Sequence, residues 1–171
     1  MRVIGLGNVL MGDDAFGPWV VHFLEEGWTF PAEVGVVDVG TPGLDLTPYI
    51  AGAEAIVIVD SVKAAGAPGE LRSYGKAELL RNPPPQRVSP HDPGVVECLL
   101  AQDFAGTGPS EVLLVGAIAG STEKGTSLTP AVRAAVDGAA AAVLAELERL
   151  GVAATPREAP ERSLPWWERP A

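Results

Sequence analysis

The sequence predicts a three-layer α/β/α domain with a twisted, mostly parallel sheet of about five strands. Three observations lead there. Short runs rich in valine and isoleucine recur along the chain, and most are too continuously apolar for a sheet with one wet face. Helical patterns separate them, the alternation expected of a sheet covered on both sides. A length of 171 residues, 47% hydrophobic and 20% charged, suits one domain with a real core.

Taken in order, residues 2–6 (RVIGL) form the first strand. Residues 15–26 place Trp19, Val20, Phe23 and Leu24 on one helical face, and Gly27 stops the helix. A second strand is expected at 33–39, a short helix at 44–51 and a third strand at 55–60, ending on Asp60. Residues 69–74 (GELRSY) alternate and follow a glycine–proline turn, so this strand is expected to join without a helix and to run antiparallel. A helix at 93–102 tolerates Pro93 in its first turn, and a strand follows at 111–117. The longest helix is expected at 129–150, with Thr129 as N-cap, Pro130 behind it and Gly151 as stop.

Residues 1–151 therefore read as one domain and 152–171 as a Pro/Trp-containing tail. Its prolines and mixed charges disfavour a helix, yet Trp166 and Trp167 are costly to leave in water. The tail is expected to dock in cis on an outer helical layer.

Twelve Lys+Arg against twenty-two Asp+Glu leave a net charge of −10. A chain of that sign has no general attraction for nucleic acid or anionic membranes, so cations, metal sites and peptides are the better partners. The single cysteine, Cys98, excludes an internal disulfide and cysteine-rich metal sites, and its VVECLL context reads as core. The start lacks a signal-peptide pattern, and no apolar run approaches the roughly 18 residues of a membrane span. A cytoplasmic protein is expected.

Residues 5–17, GLGNVLMGDDAFG, open like a dinucleotide-binding turn and then depart from it. The third glycine of that fingerprint would fall at Leu10, no phosphate-loop lysine follows Gly12, and two aspartates would repel a phosphate. Either Asp13 or Asp14 can cap the next helix. One cap suffices, which leaves the other to point elsewhere. Asp60 at a strand end, Asp38 before the turn Gly40–Gly43, and His91 in the loop SPHDPG lie at comparable positions. Carboxylates and an imidazole from separate loops suit a borderline divalent ion such as nickel or zinc. Each also has a plainer reading, as a backbone-satisfying aspartate or a surface histidine. His22 is left with the plain one.

Five stretches in order, GLGNVLMGDDAFG, DVGTPGLDL, IVIVDSV, SPHDPG and LTPAVRAAV, resemble the hydrogenase maturation endopeptidases, with the likeness running from about residue 1 to 150. The resemblance implies metal ligands at Asp14, Asp60 and His91, a supporting catalytic position at Asp38, and a capping role for Asp13. It implies that nickel belongs to the substrate, the precursor of a [NiFe]-hydrogenase large subunit, whose short C-terminal extension is removed. Whether the metal polarises the scissile carbonyl or activates water, or a carboxylate such as Asp38 acts as base, stays open. A non-catalytic nickel-binding or assembly chaperone of the same fold is the alternative.

Overall fold

The computed structural model describes residues 1–42, 46–82, 94–158 and 163–169. Five strands form the main sheet in the order β3-β1-β4-β6-β5: β1 (Arg2–Leu6), β3 (Gly35–Gly40), β4 (Ala55–Val62), β5 (Leu71–Gly75) and β6 (Glu111–Ile118). All neighbours pair in parallel except β5, which lies antiparallel on β6, as its helix-free connection predicts. A second, two-stranded sheet joins β2 (Trp28–Thr29) to β7 (Thr155–Pro156).

Helices α1 (Phe16–Gly27), α5 (Pro130–Ala134) and α6 (Val136–Arg149) cover one face; α2 (Thr47–Ile50), α3 (Lys76–Arg81) and α4 (Val95–Phe104) lie on the other side. The pleat sorts the strand residues between two cores. In β4, Val57 and Val59 pack with Phe16, Val20 and Val143, whereas Ile56, Ile58 and Val62 pack with Ile50, Leu79 and Leu99. Burial on both faces explains why the strand reads as one continuous apolar run.

Several boundaries move. The expected 129–150 helix is interrupted by a turn at Ala135, although Thr129 remains the extended N-cap residue. The third strand does not end at Asp60. Its ladder with β6 continues in step to Val62 paired with Ile118, so Asp60 sits within the strand. The expected short helix at 44–51 is seen over Thr47–Ile50, with residues 43–45 outside the described set. Helix α4 begins at Val95 behind Gly94, and Pro93 lies outside the described residues.

The glycines of the opening motif serve packing. A Cβ on Gly17 would collide with the carbonyl oxygens of Leu6 and Val59, and one on Gly5 with Gly17 and Val21. Helix α1 therefore crosses β1 and β4 at backbone contact, which only glycine permits. Its head is thereby set at the carboxyl edge of the sheet, between the ends of β1 and β4.

Candidate active site at the carboxyl edge of the sheet

Between β1 and α1 the chain makes a short 3-10 helix, Gly12–Ala15, which carries both aspartates. The two point to different destinations. Asp13 is fully buried. Its carboxylate accepts the backbone N–H groups of Gly120 (2.7 Å), Ser121 (2.9 Å) and Thr129 (2.6 Å), and the Thr129 hydroxyl (2.9 Å). The capping role expected for Asp13 on the following helix is thus corrected: α1 has Ala15 at its N-cap, and Asp13 instead ties the loop after β6 and the start of α5 to the 3-10 helix. Four donors on one buried carboxylate satisfy its charge in a setting where an unpaired charge would be prohibitive.

Asp14 is half-buried and turns to the sheet edge. Its Oδ2 accepts the Asn8 N–H at 2.8 Å, and its Oδ1 accepts the Ser61 hydroxyl at 3.3 Å. The backbone N–H of Ser61 in turn donates to Asp60 Oδ1 at 2.7 Å. Ser61, 6% exposed, therefore links the two carboxylates that come from different elements. Asp60 follows Ile56 and Ile58 on the α2–α4 face of β4, a carboxylate set into an otherwise apolar row. His91, the third expected ligand, lies outside the described residues. Among the described residues no group of three or more His, Cys, Asp or Glu side chains is arranged to hold a metal ion.

Asp38 is placed apart from this pair. It pairs with Gly5 on edge strand β3, so β1 stands between it and β4. Paired residues of neighbouring strands share a face, and Gly5 faces α1; Asp38 therefore sits on the α1 side, opposite to Asp60. Its Oδ1 accepts the Gly40 N–H at 2.9 Å, and the Gly40 carbonyl accepts the Gly7 N–H at 2.8 Å, so the turn buttresses the opening motif. Partial burial pushes the Asp38 pKa up, and the Gly40 N–H opposes that. Glu25 on α1 is also raised, by burial first, with the His22 charge opposing and the Asp38 charge adding.

The family model for hydrogenase maturation proteases matches residues 18–146. The hydrogenase 2 maturation protease of Escherichia coli is 38% identical over 161 residues, covering 92% of this chain and 96% of that protein. The hydrogenase expression/formation protein HupM of Azotobacter chroococcum is 38% identical over 157 residues, 91% of this chain and 75% of the relative. Among solved structures, the hydrogenase maturating endopeptidase HybD from E. coli superposes with a TM-score of 0.83 at 36% identity, covering 91% of this chain and 96% of that one. The chain belongs to the hydrogenase maturation protease family. It is a peptidase of α/β fold, as the resemblance in its motifs implied.

In this peptidase, sequence reasoning did not single out Ser61, Asn8 or the Gly120–Ser121 turn that meets Asp13. Ser61 had a signal, as the small polar residue after a strand aspartate. Asn8 donates through its backbone, and side-chain type carries no trace of that. His22, read as a plain surface histidine, is instead partly buried under the tail: Nε2 lies 2.9 Å from the Ser163 carbonyl, and the ring stacks edge-on against Trp19 and Trp167. Cys98 is buried, as its apolar context predicts. Among the described residues no helix is long and apolar enough to cross a membrane.

Proposed function

We propose that this peptidase removes a short C-terminal extension from the nickel-loaded precursor of a [NiFe]-hydrogenase large subunit, in the cytoplasm, and that it recognises nickel already seated in that substrate. The observation that carries the reading is the Asp14–Ser61–Asp60 link, which sets two carboxylates from different elements at the carboxyl edge of one sheet. Hard carboxylates together with the imidazole of His91 make a donor set for a borderline divalent ion. Such a set also leaves coordination positions to be filled by the substrate. The free protein is then expected to hold nickel weakly, because the ion arrives and leaves with its owner.

In this reading Asn8 N–H and the Ser61 hydroxyl fix the Asp14 carboxylate, and the Ser61 N–H fixes Asp60. Pre-oriented carboxylates meet the metal without reorganisation, the usual work of groups around metal ligands. Hydrolysis adds the hydroxyl of water to the scissile carbonyl carbon and a proton to the leaving amine as the C–N bond breaks. Binding of the nickel by Asp14, Asp60 and His91 brings that bond to the site and makes cleavage conditional on metal loading. Asp38, on edge strand β3 with β1 between it and β4, supports the turn beside Gly7, the supporting position that the resemblance implies.

Intact mass of a nickel-loaded large-subunit precursor, measured before and after mixing with this protein, tests the proposal. One discrete C-terminal loss is expected, absent with metal-free precursor. Stable binding without any mass change would replace the proposal with an assembly chaperone. Loss that is equal with and without nickel would remove metal recognition.

A further inference from the structure

Just before the 3-10 helix, residues 8–11 form a rigid lip. The Leu10 N–H donates to Asn8 Oδ1 at 3.0 Å, and the Met11 N–H to the Asn8 carbonyl at 3.0 Å. The Leu10 carbonyl accepts the Gly125 N–H at 3.0 Å, and Gly12 N–H returns to the Gly125 carbonyl at 2.8 Å. Asp13 closes the clasp from below, through Gly120, Ser121 and Thr129. The backbone of Leu10 is thus held on both sides, while the residue is 58% exposed. Val9 beside it packs on the α1-side core; Leu10 packs on neither core.

A single exposed leucine is ordinary on a protein surface. This one differs in two respects. Both its backbone N–H and its carbonyl are hydrogen-bonded, and the same Asn8 that anchors it also donates its N–H to Asp14. The backbone of Leu10 is therefore tied, through Asn8, to a site carboxylate.

We infer that Leu10 is a specificity residue: it contacts an apolar side chain of the substrate precursor close to the bond that is cut. The inference rests on the site reading above. A contact of this kind adds affinity without entering the chemistry, so its loss appears in KM and Kd, and kcat is spared. One apolar contact discriminates by roughly tenfold or more.

The test compares Leu10→Ser with the parent and with Phe104→Ser. Phe104 is 97% exposed at the end of α4, just before β6 begins, hence at the opposite edge of the sheet. The probe is a nickel-loaded large-subunit precursor, and the measurements are Kd by calorimetry, KM and kcat for cleavage, and thermal unfolding. Leu10→Ser is expected to raise Kd and KM about tenfold with kcat within twofold and unfolding unchanged; Phe104→Ser is expected to match the parent. Equal Kd for parent and Leu10→Ser overturns the inference, as does a fall in kcat alone. A parent that binds precursor without cutting it refutes the proposed activity, and Leu10 is then judged on Kd. A parent that neither binds nor cuts overturns both.

Discussion

Helix α1 carries a polar cluster at its head and another along its outer face, built from much the same side chains. At the head stand Asp13 and Asp14. On the outer face, His22 and Glu26 lie 3.7 Å apart at i,i+4 spacing, which on a helix looks like a ligand pair. The tail uses it up. Glu26 accepts both the Ser163 N–H (2.7 Å) and hydroxyl, His22 meets the Ser163 carbonyl, and Glu168 accepts the Trp19 indole N–H at 3.2 Å. Trp167 packs edge-on against Trp19, and the Arg133 guanidinium sits 3.4 Å over the Trp19 ring. The difference between the clusters is one of place. The outer-face groups are closed onto the chain's own tail, whereas Asp14 is turned to the carboxyl edge beside Asp60, where ligands reach α/β sheets.

The sharpest way to break that comparison is to change each aspartate at the head in turn. Asp14→Asn is expected to lower cleavage by more than about a hundredfold, since even groups that only support metal ligands cost 10–100-fold. Its melting temperature should stay within a few degrees of the parent. Retained cleavage in a precursor assay would remove Asp14 from the site. Asp13→Ala should do the reverse. Stripping a buried acceptor from four donors is expected to cost about 3 kcal/mol, lowering the melting temperature by roughly 6–12 °C. Cleavage assayed well below that midpoint should fall far less than in Asp14→Asn.

The outer face offers a milder contrast. Deleting residues after Gly151 removes Trp167 and Glu168 from α1 and should cost about 2 kcal/mol, or roughly 4–8 °C in scanning calorimetry. Processing should be spared. A truncated chain that melts like the parent yet cuts nothing would make the tail a substrate-docking element and erase the distinction between the two clusters.

The smallest effect concerns Asp38. Its folded pKa is raised, so the stability it contributes is complete below the ordinary value of 3.8 and is lost as pH rises through the folded value. Asp38→Asn keeps an oxygen for the Gly40 N–H and discards the charge that faces Glu25. The variant should melt slightly above the parent at pH 7, with the gap closing as pH falls below about 4. A gap that widens in acid would show that burial does not govern this carboxyl.

Much of the fold is legible locally. Valine and isoleucine runs mark strands buried on both faces, and GELRSY announces the antiparallel strand of the main sheet because its connection is too short for a crossover helix. Boundaries are less so: Asp60 looks like a strand terminator on composition, but the eight-residue ladder with β6 carries the strand past it. The site is half legible. Asp14 and Asp60 stand out as acids beside apolar strands, and the order of five motifs points to their family. Their link through Ser61 cannot be read, since it joins residues 47 positions apart.

The sequence by itself determined the alternation of the main strands and helices and the family, because apolar periodicity and motif order run along the chain; helix α3 and the short strands β2 and β7 carried no such signal. The resemblance separated the adjacent aspartates by role, but only the tertiary structure decided where Asp13 goes. A carboxylate points to wherever its donors are, and those of Asp13 lie 107, 108 and 116 residues downstream. Those distant N–H groups draw Asp13 into the interior and leave Asp14, one residue on, at the sheet edge with Ser61.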